Sequence, residues 1–201
     1  MRFAPVSFRP TFGRVLSVLT AIIAGLGLLG FVVAGDWRDL VLHGWGLLLI
    51  AAVGFALFWF PRLDVQEHAI TVRNVFSTVT VPWTAIQRID TKYALTLYTS
   101  EGTVTVWASP APNRYASQVS STTDTRIADQ DSGGSIRPGD LIHTASGAAA
   151  FVIRRHWQQL RDDGFLDSAV VEEGSMHKRL HTVTIAVLSA LAVATVLGFV
   201  L

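Results

Sequence analysis

The feature that most constrains this chain is a run of twenty residues, Val15 to Ala34, without a single charge. An α-helix of that length covers the roughly 30 Å hydrocarbon core of a bilayer. A second run begins near Leu40 and ends at Phe58-Trp59-Phe60-Pro61, where aromatic residues suit a membrane interface and proline stops a helix. Its only titratable member is His43, and a third run extends from Thr182 to Leu201. Backbone groups in hydrocarbon have no water to bond, so each run is expected to be helical despite its Val, Ile and Thr content. Transmembrane helices are therefore predicted at 15–34, 40–60 and 182–201. The first run also admits a signal-peptide reading, with Arg2, Arg9 and Arg14 as the basic region and Val32 and Ala34 before a cut. Against this, its apolar core exceeds the usual length of about 7–15 residues.

Orientation follows from Lys and Arg in the short flanks. Arg2, Arg9 and Arg14 precede the first run, Arg62 follows the second, and Lys178 and Arg179 stand just before the third. The connection Gly35 to Gly44 has only Arg38, between Asp36 and Asp39. This pattern predicts a multi-pass protein of the cell membrane, with a cytoplasmic N-terminus, a cytoplasmic domain and the C-terminus outside. Trp59, Lys178 and Arg179 are the expected interface anchors. Ala186, Ala190, Ala194 and Gly198 recur every four residues, a helix-packing stripe for which the hairpin of the same chain is the first candidate partner. Ala21 and Gly25 form a shorter equivalent on the first run.

From Arg62 the period changes to two. Leu63/Val65, Ile70/Val72, Leu95/Leu97 and Val104/Val106 alternate with polar residues, as half-buried antiparallel strands do. Turn signals at Gln66 to His68, Asn74 to Ser77 and Ser100 to Gly102 separate them, and Pro82 ends a strand because it cannot donate to a ladder. About six short strands are expected. Ser109 to Ala145 is rich in Ser, Thr, Asp, Gly and Pro and is expected to be a mobile insertion, apart from a possible short strand at Leu141-Ile142-His143. Ser146 is expected to cap a helix reaching about Asp163, with Phe151, Trp157 and Leu160 on one stripe and Gly164 as the stop. The predicted fold is α+β: three transmembrane helices (hairpin 1–60 and C-terminal span 182–201) with a β-barrel or half-barrel at 61–166 capped by one helix, and a linker at 167–181.

Pro61-Arg62-Leu63-Asp64-Val65, Ile70-Thr71-Val72-Arg73-Asn74, Val81-Pro82-Trp83-Thr84-Ala85-Ile86 and Leu95-Thr96-Leu97 before Glu101-Gly102 resemble the bacterial pleckstrin-homology-like (PH) domains of actinobacterial membrane proteins, a family typified by low-molecular-weight protein antigen 6. The resemblance covers about Pro61 to Ala108 and, loosely, the following helix. Its most specific element is the V-P-W-x-x-I turn. It implies a PH-type barrel beside membrane helices, without assigned catalysis, and the insertion departs from it.

The chemistry is sparse. Charged residues make up 15% of the chain against about 25% in ordinary soluble domains, and cysteine is absent, which excludes disulfides, thiolate catalysis and cysteine-ligated metals. Catalysis needs a positioned nucleophile and base or a cleft of perturbed carboxylates, and no G-x-S-x-G, phosphate loop or H-E-x-x-H occurs, so no enzyme and no cofactor are expected. Between Pro61 and His181, twelve Lys and Arg face thirteen Asp and Glu, which argues against nucleic acid. An anionic lipid headgroup would fall to Arg62, Arg73, Arg88 and Lys92. Arg154, Arg155 and Arg161 are expected on a solvated helix face. Asp129, Asp131 and Asp140 partly match a calcium loop, but the residue at position five is glycine and position twelve lacks the bidentate glutamate, so no metal is assigned; His177 and His181 lack a third ligand. The expectation is a non-enzymatic scaffold that binds a membrane-protein partner, or itself, through a sheet edge or the helix groove; the alternative is a lipid-headgroup sensor.

Overall fold

The computed structural model describes residues 4–111, 138–141, 144–166 and 176–201. In chain order the elements are β1 (Val6–Phe8), α1 (Thr11–Ala34), α2 (Trp37–Phe58), β2 (Arg62–Val65), β3 (Ala69–Arg73), β4 (Ser77–Pro82), a 3-10 turn (Trp83–Ala85), β5 (Ile86–Asp90), β6 (Ala94–Thr99), β7 (Gly102–Pro110), a 3-10 turn (Pro138–Asp140), α3 (Ala145–Asp162), β8 (His177–Leu180) and α4 (Thr182–Val200). They fall into two compact units. One holds the chain up to Arg9, Arg62–Asn74 and the described residues from Thr78 to Arg179, and the other holds Pro10–Pro61, Val75–Ser77 and Leu180–Leu201.

In the second unit, α1, α2 and α4 are each long and apolar enough to cross a membrane. The connection between α1 and α2 is shorter than expected, only Gly35 and Asp36. Gly35 takes φ +72°, which releases its N–H and that of Asp36 to the last carbonyls of α1, at Val32 and Phe31. Arg38 and Asp39 thus lie in the first turn of α2. The seam between α1 and α2 uses Gly13, Ser17 and Ala24 against Gly44, Gly54 and Ala56, all buried, while Ala21 and Gly25 remain exposed. Gly13 lies against the Phe58 carbonyl, so the helices are antiparallel. Gly198 of α4 abuts the Leu42 carbonyl so closely that a Cβ would overlap it, and Gly46 faces Thr195. Helix α4 is therefore antiparallel to α2. The start of α1, the end of α2 and the start of α4 share one end of the unit. Thr20 and Thr195 donate their hydroxyls to Leu16 and Leu191 in their own helices, both at 2.7 Å, so neither hydroxyl is left open on these apolar helices.

In the first unit the expected alternation is realised. Leu63, Val65, Ile70, Val72, Val81, Leu95, Leu97 and Val106 are fully buried, and all six expected strands form. They do not close into a barrel: among the described residues there are two antiparallel sheets, ordered β1-β2-β3-β4-β8 and β5-β6-β7. Ala149, Ala150 and Ile153 of α3 join the core, so one helix covers the sheets as expected. The larger sheet also draws strands from outside 61–166, since Val6 pairs with Val65 and Phe8 with Leu63, and β8 joins beside β4.

The expected insertion is partly built into the fold. Ser109 and Pro110 complete β7, and Gly139, Asp140 and Leu141 are buried, while 112–137 and 142–143, including Asp129, Asp131, Ile142 and His143, lie outside the described residues. The cap of α3 is Thr144 rather than Ser146: its Oγ1 accepts from the Gly147 N–H at 3.0 Å and donates to the Leu141 carbonyl. Ser146 sits inside the first turn and donates to the Gly139 carbonyl at 2.9 Å.

Candidate functional site

The V-P-W-x-x-I segment serves as a joint. Pro82 ends β4 opposite Ala69, and the 3-10 turn swings Trp83 into the core, 2% exposed. Its indole N–H donates to the Gln66 carbonyl of the β2–β3 turn at 3.0 Å, and its ring meets His156 of α3 edge-on at 4.8 Å. One side chain thus ties a strand turn, the entry to the second sheet and the covering helix. Burial lowers the pKa of His156 below its ordinary 6.5, partly offset by the Glu67 backbone and carboxylate.

A second joint lies at Asp140. Its Oδ1 accepts from Thr91 Oγ1 at 2.6 Å and from Arg154 Nη1 at 2.9 Å, with the Asp140 and Arg154 side chains 3% and 14% exposed. Arg154 was expected on a solvated face; instead it reaches this nearly buried carboxylate. Asp140, as position twelve of the calcium-loop match, is thereby already engaged. Among the described residues no group of three His, Asp or Glu side chains is placed to hold a metal ion.

Asn74 forms a third joint, at the free edge of β7. Its side-chain amide donates to the Thr105 carbonyl at 2.8 Å and accepts from the Trp107 N–H at 3.1 Å. These are the groups a neighbouring strand would use, so a side chain stands in for a strand and couples the two sheets. Beside it, the outer face of β5-β6-β7 presents Arg88, Tyr98, Thr103, Thr105 and Trp107. The rows run Arg88–Tyr98–Thr103 and Asp90–Thr96–Thr105, with the Arg88 guanidinium 4.1 Å from the Tyr98 ring centre and Trp107 46% exposed. Sequence reading singled out Arg88 there and missed Trp107, whose signal was a lone tryptophan at an outward position of an alternating strand.

The four cations assigned to a headgroup divide into pairs. Arg62 and Arg73 are opposite each other on β2 and β3, and Arg62 is ion-paired to Asp64 at 2.6 Å. Arg88 and Lys92 belong to the other sheet and its turn, and Lys92 lies 5.1 Å from the Tyr93 ring centre. Of the expected anchors, Trp59 stacks on Phe55 and faces the Arg14 guanidinium, while Lys178 and Arg179 are exposed on β8. Along the small-residue stripe, Ala186 and Ala190 are exposed, Ala194 is half-buried and Gly198 is buried.

Among the described residues, these joints and the outer face of β5-β6-β7 bring together no nucleophile with a base. No curated protein and no solved structure matches the chain. Residues 60–129 match the family model described as Bacterial PH domain, the family that the V-P-W-x-x-I turn and its flanking strands imply.

Proposed function

We propose that this is a non-enzymatic, multi-pass membrane protein that presents its PH domain at the cytoplasmic face and uses it to bind another protein, as an accessory or scaffold subunit of a membrane complex. The observation that supports this reading is the shared helix end. The chain passes between the helices and the β-rich unit next to that end each time, and Arg9, Arg14, Arg62, Lys178 and Arg179 cluster around those crossings in sequence. The opposite end has Arg38 between two aspartates. An excess of Lys and Arg favours the cytoplasm.

The docking surface in this reading is the outer face of β5-β6-β7. It offers exposed Trp107 and Arg88 and half-buried Tyr98, and Trp, Tyr and Arg are the side chains that dominate protein interfaces. A headgroup sensor is less favoured, because its four cations divide between two sheets and Arg62 already has a carboxylate partner. A photo-crosslinker at Trp107 in native membranes is expected to capture one stoichiometric neighbour, or a second copy, and Trp107→Ala to weaken that complex. Absence of any such neighbour at native expression would overturn the proposal. In intact cells an impermeant thiol reagent should label Asp36→Cys and spare Glu101→Cys.

A further inference from the structure

We propose that the β3–β4 turn is itself a membrane-contact element that holds the Phe76 ring in the interfacial layer of the bilayer. This rests on the membrane reading above and extends it from the spans to a loop of the β-sheet. The turn is fastened to the start of α4. The His181 N–H donates to the Phe76 carbonyl at 2.9 Å, and His181 Nδ1 lies 3.0 Å from the Val75 carbonyl oxygen. Residues 75–77 accordingly cluster with the helices, apart from the remainder of β4.

The level of His181 is set by its neighbours. Lys178 and Arg179 are exposed, and Thr182 opens a helix of 19 residues without a charge. The chain thus passes from cationic side chains to spanning helix within three residues, which places His181 at the boundary of the hydrocarbon. A residue one hydrogen bond away shares that level. Val75 is buried and fixes the turn, whereas Phe76 is 44% exposed. An uncovered aromatic ring at this depth is what the interfacial layer accommodates best. The same end of the helical unit carries Phe55, Trp59 and Phe60, with ring centres 5.7 Å and 5.2 Å apart, so Phe76 extends an aromatic tier already present.

The chain contains no cysteine, so single-cysteine spin labels can be placed on the full-length protein without other changes. Phe76→Cys and Val193→Cys, a mid-helix residue of α4 that is 59% exposed, would be labelled and reconstituted into phosphatidylcholine/phosphatidylglycerol vesicles. Relative accessibility to oxygen and to a water-soluble nickel chelate then reports depth. Val193 is expected to read as hydrocarbon. Phe76 is expected at intermediate depth, within about 5–10 Å of the headgroup boundary. A deep Val193 with a Phe76 label fully open to the chelate would overturn the proposal and leave the membrane reading intact. So would a Phe76 label reached by neither reagent, since protein would then cover the turn. A Val193 label in water would end both.

Discussion

Replacing Asp140 with alanine tests whether the segment before α3 is structural. The substitution leaves Arg154, 14% exposed at its side chain, and Thr91, 1% exposed, without the oxygen that both now use. Removing one partner of a buried ion pair costs about 3–5 kcal/mol, and Arg154 retains some access to water, so about 3 kcal/mol is expected. For a domain of this size that is a fall in unfolding midpoint of roughly 12–24 °C. Thermal unfolding of the full-length protein in detergent, followed by the near-ultraviolet circular dichroism of its six tryptophans, measures it. The double variant Asp140→Leu/Arg154→Met removes both charges together and should recover more than half of the loss, because the penalty lies in the stranded partner rather than in the missing attraction. A fall below about 4 °C, corresponding to roughly 1 kcal/mol, would refute the reasoning, as would a double variant no more stable than the worse single one.

Three further outcomes follow. The folded protein holds His156 neutral more readily than the unfolded chain does, so the stability it contributes is complete above pH 6.5 and declines as pH falls below that value, by no more than about 1.4 kcal/mol per unit; His156→Phe should flatten this part of the stability profile down to about pH 5. Asn74→Ala removes both side-chain bonds to β7 and should cost about 1–3 kcal/mol, with amide exchange at Trp107 accelerating first. Gly198→Leu would collide with the Leu42 carbonyl and displace α4 from α2, so a disulfide that forms between Gly46→Cys and Thr195→Cys in an otherwise unchanged chain should fail to form in its presence.

Much of the architecture was legible because its signals are local. Uncharged runs marked the three apolar helices, alternation marked β2, β3, β6 and β7, and Pro82 marked the end of β4. The two missed strands, Val6–Phe8 and His177–Leu180, lie at sheet edges, where a strand bonds on one side only and needs no inward apolar row; β8 is exposed throughout. The cap of α3 was misplaced by two residues because Thr144 and Ser146 are both competent hydroxyls, and only the position of the Leu141 carbonyl decides between them. Small residues are so frequent in α1 that a spacing of four picks out several faces, and the face actually buried is selected by contact with α2. The Asp140 joint was hidden for a different reason. Its partners lie 49 and 14 residues away, and composition around it read as loop.

The two-residue connection Gly35-Asp36 also bears on how such a protein is made. In the proposed topology this hairpin gives the far side one tight turn whose carbonyls are already satisfied. Two helices that meet through so little chain can enter the lipid together as a preformed pair, so inserting the hairpin moves almost no hydrophilic chain across the bilayer.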